Sequence, residues 1–199
     1  MPTVIVPFAG VSGKTRLGVT EPVRREVSLA MLGDVLDACV AIGETRVVTP
    51  DAEGADLALE LSARPVRDPG RGQGVAVQAA LAGVGPGQVL VVNADLPCVV
   101  GDDLRALFAA APAGGIALVE ARDGTTNALS LPGPEAFAPL YGSGSAVRFT
   151  EHAAALGLAV VSVGLPNLAD DVDTLDDLRR LASRCGPRTR ACLAEAVPA

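Results

Sequence analysis

Hydrophobic positions along this 199-residue chain switch between two periods, short β-branched runs and longer stretches repeating every three to four residues. The first mark buried strands and the second mark helices. Residues 4–8, Val-Ile-Val-Pro-Phe, predict a strand that ends in a glycine-bearing loop. Thr20 reads as an N-cap with Pro22 in the first turn, and Val23, Val27, Ala30, Met31, Val35 and Ala38 form the apolar stripe of the following helix. Gly43 closes it. A strand over 46–49, a helix over 55–61 and an extended piece from Val66 come next. A second glycine-rich loop, Gly70-Arg71-Gly72-Gln73-Gly74, then leads into a helix over 75–82.

Val89-Leu90-Val91-Val92 is a near-continuous apolar run, the pattern of a central strand covered on both faces. Beyond it the sequence predicts a helix over 102–111 and strands over 116–121 and 128–131 around the Asp123-Gly124 turn. A helix over 146–156, a strand over 159–163 and a last helix from the Thr174 cap through Ser183 complete the pattern. Strands alternating with helices predict a single α/β domain over residues 1–186 with a mainly parallel sheet. Residues 187–199 read as a loosely held tail.

Composition narrows the function. A content of 49% hydrophobic residues and a mean hydropathy of +0.38 exclude a disordered chain. The net charge of −7 supplies no basic surplus for nonspecific nucleic-acid binding, and 3% aromatic residues give few stacking platforms. Cys39, Cys98, Cys185 and Cys192 lack metal-ligand spacing and His152 is the only histidine, which excludes a structural zinc site. No charged-then-apolar leader precedes Val4, and no apolar stretch approaches the ~20 residues that span a bilayer. A soluble cytoplasmic protein is expected.

The candidate chemistry starts from Lys14, the one lysine among fifteen arginines, in Gly10-Val11-Ser12-Gly13-Lys14-Thr15-Arg16. An ammonium beside the Arg16 guanidinium suits a polyphosphate, and Gly10 and Gly13 permit close backbone approach. The loop is not a P-loop. That motif needs a glycine where Phe8 stands, and Gly18, Thr20 and Pro22 delay the helix that would hold the phosphates. Asp95, in Asn93-Ala94-Asp95-Leu96-Pro97, emerges from the end of the central strand, poised to hold Mg²⁺ or else to satisfy a turn. In Asp170-Asp171-Val172-Asp173-Thr174, alternation puts Asp171 and Asp173 on one side, although Asp173 or Thr174 also serves as a helix cap. Tyr141-Gly142-Ser143-Gly144-Ser145 offers free backbone N–H groups before a helix, and Arg148 adds a cation one turn on.

In this order, these motifs resemble the CofC/FbiD family, the guanylyltransferases that activate a phospho-acid for coenzyme F420 biosynthesis. The resemblance rests on the Gly13-Lys14-Thr15-Arg16-Leu17 loop, the Asn93 to Pro97 motif, Thr126-Asn127-Ala128-Leu129, the Tyr141 to Ser145 loop and the Asp171 to Leu178 segment. It implies a Rossmann-like nucleotidyltransferase sandwich, GTP as donor and phosphoenolpyruvate as acceptor, with 2-phospho-L-lactate and 3-phosphoglycerate as alternatives. It implies catalytic Lys14 and Arg16, nucleotide contacts at Gly10, Gly13, Gly74 and Gln78, and acceptor contacts at Thr126, Gly142 and Ser145. Mg²⁺ is expected on Asp95 and Asp173. A downstream F420-pathway transferase is the expected partner, and a homodimer is compatible with the family. The chain departs from the family pattern at Ala9, Asn93, Gln78 and Phe149, where lysine, an acidic residue, asparagine and histidine are usual. Rival readings are a molybdopterin or sugar-phosphate nucleotidyltransferase and a noncatalytic nucleotide-binding subunit.

Overall fold

The computed structural model describes residues 1–11 and 14–196. Strands β1 (Thr3–Pro7), β2 (Glu44–Thr49), β3 (Arg64–Arg67), β4 (Val89–Val92), β5 (Ile116–Glu120), β6 (Thr126–Leu131) and β7 (Val160–Ser162) form one sheet. Their order is β3-β2-β1-β4-β6-β5-β7, and only β6 runs antiparallel to its neighbours. The mainly parallel α/β sheet expected from the sequence is therefore present.

Alternation within the central strands builds a core on each face. Val4 and Val6 of β1 face Leu32, Val35 and Leu36 of α1 (Glu21–Val40). Ile5 joins the opposite cluster, with Val77 and Ala80 of α3 (Gln73–Leu81) and Phe149 and Ala153 of α5 (Ser145–Ala155). All four residues of β4 are fully buried, as a strand covered on both sides requires. Helices α2 (Ala52–Glu60) and α4 (Gly101–Ala110) complete the layer that contains α1.

Two chain paths diverge at the middle of the sheet. From β1 the chain proceeds outward to β2 and β3, then crosses back to β4 on the other side of β1. The loops leaving β1 and β4 start at the carboxyl ends of these neighbouring strands, where a crevice opens.

Two elements differ from the sequence reading. One helical turn, α6 (Pro166–Ala169), precedes the acidic segment, and α7 (Leu175–Leu181) follows it. Thr174 caps α7 as expected, in a reciprocal pair in which its hydroxyl accepts from Asp177 N and the Asp177 carboxylate accepts from Thr174 N. The segment read as a tail forms α8 (Pro187–Ala196) over its described part and packs along α1. Its N-terminus is capped from a distance. The buried Asp34 carboxylate on α1 accepts from Arg188 N at 3.0 Å and from Thr189 N at 2.9 Å. Among the described residues, no helix is long and apolar enough to cross a membrane.

Asp34→Ala leaves both α8 amides without their acceptor. It is expected to lower the unfolding free energy by about 2 kcal/mol, read from urea titrations, and to speed amide exchange across α8 first.

Candidate active site

The crevice holds a cavity of ≈ 440 Å³ lined by residues that follow β1, β3 and β4. Its first wall is the loop after β1. Asp51 fixes that loop with both carboxylate oxygens, one accepting from Gly54 N at 2.7 Å to cap α2, the other from Val11 N at 2.9 Å. Gly10 sits there at φ +89°, and a Cβ on it would lie 2.4 Å from Asp51 Oδ2. Glycine is therefore demanded both by the backbone angle and by the contact.

Lys14 leads into a 3₁₀ turn, Thr15–Leu17, rather than into a long helix, which agrees with the exclusion of a P-loop. Its ammonium donates to Asp95 Oδ2 at 2.5 Å and to Asp173 Oδ1 at 2.8 Å. Burial alone would lower the Lys14 pKa. The two carboxylates outweigh it and hold the pKa above its ordinary value. The Arg16 guanidinium lies 3.9 Å from Asp173 Oδ2 and is largely exposed, so it borders the site loosely.

Asp171 completes an acidic cluster. One ligand atom from each of Asp95, Asp171 and Asp173 lies within 4.8 Å of the others. The backbone explains the grouping. Val172, fully buried, donates its N–H to the Asp95 carbonyl at 3.1 Å, so the residues flanking it both reach the end of β4. Burial, with the Asp95 and Asp173 carboxylates nearby, pushes the Asp171 carboxyl up to about 6. Asp95 Oδ1 is buried and has no hydrogen-bond partner among the described residues. Mutually repelling carboxylates and an orphaned oxygen are the donor set a hard divalent cation satisfies. The sequence reading favoured Asp173 over Asp171. The alternation around Val172 was the signal that both belong together.

Asn93, read as a substitute for an acidic residue, has another occupation. Its carbonyl oxygen accepts from Gln73 Nε2 at 2.7 Å, and its amide donates to the Thr126 carbonyl and to Asn127 Oδ1. Asn127 in turn donates to Asp171 Oδ1 at 3.5 Å. An amide chain thus connects the start of α3 to the acidic cluster, and the sequence pattern did not reveal it.

Gly10, Lys14, Arg16, Asp95 and Asp173 all line the cavity, whereas Gly13 lies outside the described residues. Gln78 does not line it. This side chain is on the exposed face of α3, and Gln73 borders the cavity in its place. Gly74 also stands apart, buried where a Cβ would meet Pro139 at 2.7 Å, so it is required for packing. Thr126, Gly142 and Ser145 form a separate group beyond Asn93. Both hydroxyl residues are buried, and Ser145 Oγ donates to Thr126 Oγ1 at 3.1 Å. Arg148 is not a spare cation. It donates to the carbonyls of Leu140, Tyr141 and Ser143 and so shapes the loop that holds Gly142. Phe149 is fully buried, its ring centroid 5.3 Å from that of Tyr141 in a T-shaped arrangement.

A mainly parallel sheet with a cation-bearing loop after its first strand and carboxylates at the end of its central strand is the arrangement of a nucleotidyltransferase. Solved structures share this fold. A putative nucleotide-diphospho-sugar transferase from Desulfovibrio desulfuricans superposes with a TM-score of 0.76 at 18% identity, covering 98% of this chain and 95% of that one. A 4-diphosphocytidyl-2C-methyl-D-erythritol synthase superposes with a TM-score of 0.64 at 14% identity, covering 90% and 96%. The chain belongs to the guanylyl transferase CofC-like family, which it matches over residues 2–188. It is 35% identical to a phosphoenolpyruvate guanylyltransferase of Sphaerobacter thermophilus, over 89% of this chain and 91% of the relative. It is 37% identical to a 2-phospho-L-lactate guanylyltransferase of Halorubrum lacusprofundi, over 89% and 82%.

Arg148→Met removes the donor shared by three carbonyls. Amide exchange across 141–146 should rise, and the unfolding free energy should fall by about 1–2 kcal/mol in denaturant titrations.

Proposed function

We propose that this protein transfers GMP from GTP to the phosphate of phosphoenolpyruvate, releasing pyrophosphate, as a step of coenzyme F420 biosynthesis. Family membership supports the guanylyl transfer. The observation that carries the mechanism is the Lys14 ammonium set between Asp95 and Asp173 on the cavity wall. An ammonium has three N–H donors, and two go to these carboxylates. The third is left for an oxygen of the incoming triphosphate.

A phosphate oxygen of the acceptor attacks the α-phosphorus of GTP. That P–O bond forms as the bond from the α-phosphorus to the β-bridging oxygen breaks, and pyrophosphate leaves with the electron pair. The nucleophile is already an anion, so no side chain has to take its proton. Catalysis then rests on positioning and charge neutralisation. Lys14 and Arg16 neutralise and orient the triphosphate, while Gly10 lets the backbone approach it. Asp95, Asp171 and Asp173 would hold Mg²⁺, which when bound neutralises phosphate charge and orients the reacting groups. The Gly142 loop, backed by the buried Thr126–Ser145 hydroxyl pair, takes the carboxylate or phosphate of the acceptor. This reading puts the enzyme in the cytoplasm, beside a transferase that consumes its labile phosphoanhydride product.

Pyrophosphate release from GTP, measured with each candidate acid and that transferase present, tests the reading. Phosphoenolpyruvate should support turnover, with 2-phospho-L-lactate and 3-phosphoglycerate well below it. Silence with all three acids sinks the assignment. Lys14→Ala should lower kcat/KM by about 10²–10³-fold or more with the fold retained by circular dichroism. An active Lys14→Ala enzyme overturns the role of the lysine.

The metal is tested separately. Asp171→Asn should weaken Mn²⁺ binding at least about tenfold by calorimetry, since one charged ligand is lost. Unchanged Mn²⁺ affinity would exclude Asp171 from the metal site.

A further inference from the structure

With Gln78 turned away from the cavity, the contact that would recognise the nucleobase is unassigned. The cavity itself points to another side chain. Asp68 lines it just after β3, and β3 and β4 are three strand positions apart. At about 4.8 Å per strand, the Asp68 end lies ~14 Å from the acidic cluster at the end of β4. A nucleotide with its phosphates at Lys14 and Asp95 therefore runs across the carboxyl ends of β1 and β2 and brings its base toward Asp68.

The surroundings suit a flat base. Phe8, Val48 and Ala76 give apolar wall, and Gly72 adds backbone without a side chain. Asp68 is also held in place. Its backbone N–H donates to the Thr49 carbonyl at 3.1 Å, which keeps the start of the loop in line with β2. Its Oδ1 accepts from Gly70 N at 2.7 Å, and this is the one hydrogen bond its carboxylate makes among the described residues. A carboxylate oxygen has two lone pairs, so both oxygens can still accept. An oriented carboxylate with spare acceptors, set beside this apolar wall, is a polar group of the kind that fixes ligand orientation.

The chemistry selects the base. Guanine presents two adjacent donors on one edge, N1–H and the 2-amino group, and a carboxylate accepts from both. Adenine and cytosine place an unprotonated ring nitrogen beside their single amino group. Uracil flanks its one N–H with carbonyls. Each of these sets a lone pair against a carboxylate. We propose that Asp68 is the residue that specifies guanine, accepting from N1–H and the 2-amino group. This rests on reading the site as one for GTP and adds which residue makes that choice.

The test is equilibrium binding, which needs neither acceptor nor turnover. A fluorescent GTP analogue bound to the wild-type protein is displaced by GTP, inosine triphosphate, xanthosine triphosphate and ATP, each with Mg²⁺. Inosine triphosphate lacks only the 2-amino group, and its affinity should fall about tenfold to a hundredfold below that of GTP, the loss of one charge-assisted hydrogen bond. Asp68→Asn keeps an oxygen for Gly70 N–H and replaces the other by an amide donor, which suits the 2-carbonyl of xanthine. This variant should lose GTP affinity by about the same factor and bind xanthosine triphosphate more tightly than the wild type does. A folding defect cannot produce that gain. If Asp68→Asn does not fold, the wild-type ranking of GTP against inosine triphosphate decides. Equal affinities for those two, or a folded Asp68→Asn that still prefers GTP to xanthosine triphosphate, overturn the proposal. Selective GTP binding without pyrophosphate release for any acid would sink the guanylyl-transfer reading and leave Asp68 in place.

Discussion

The parallel pairing of β1 with β4, Thr3 to Ile5 against Val89 to Val91, is the constraint on which the site depends. These strands are nearly ninety residues apart in sequence, yet their side chains are buried on both faces, so neither can move without opening two cores. Their carboxyl ends are consequently fixed side by side. The loop with Lys14 and the turn with Asp95 start from those ends, and the Val172 amide ties the acidic segment to the same turn through the Asp95 carbonyl. Three stretches of chain thus share one small volume because a sheet pairing leaves them no alternative.

That volume carries an electrostatic strain which Lys14 partly relieves. Three carboxylates with ligand atoms within 4.8 Å of one another repel, and burial together with the Asp95 and Asp173 charges holds the Asp171 pKa above its ordinary value. Lys14 answers two of them from a single nitrogen, at 2.5 and 2.8 Å. A guanidinium spreads its donors over a planar fork and would not place one compact charge between both carboxylates. This gives a physical reason for lysine at one position of a chain that otherwise uses arginine. The pair is about one-fifth exposed, so water reaches it and exchange of the ammonium between carboxylate and phosphate is not blocked by deep burial.

Much of the fold was legible in the sequence because strands and helices here announce themselves by period. The buried run of β4, the stripe of α1 and the Thr174 cap are local signals and appear where expected. Helix α8 is different. Much of what holds it comes from Asp34, over 150 residues away, and from the face of α1, so residues 187–199 looked like a tail. Gln78 failed for a related reason. Gln73–Leu81 is apolar nearly all round, so the sequence gives no sign of which side meets the cavity, and a polar residue in it has no assigned direction. Gly74 likewise looked like a loop glycine, whereas its close approach to Pro139 is visible only once both are placed.

The sequence by itself determined the class of fold, the order of the chemical motifs and the family, because these are carried by local period and by residue types at short spacing. It also singled out Lys14, Asp95 and the acidic segment as separate candidates. Only the tertiary structure decided that Lys14 bridges Asp95 and Asp173, that Asp171 joins them, that Asn93 and Arg148 are spent on shaping the site, and that Asp68 rather than Gln78 faces the cavity. The pairing of Lys14 with Asp95 and Asp173 depends on distances between groups 81 and 159 residues apart. Such distances are set by packing two hydrophobic layers on one sheet, and no local pattern encodes them.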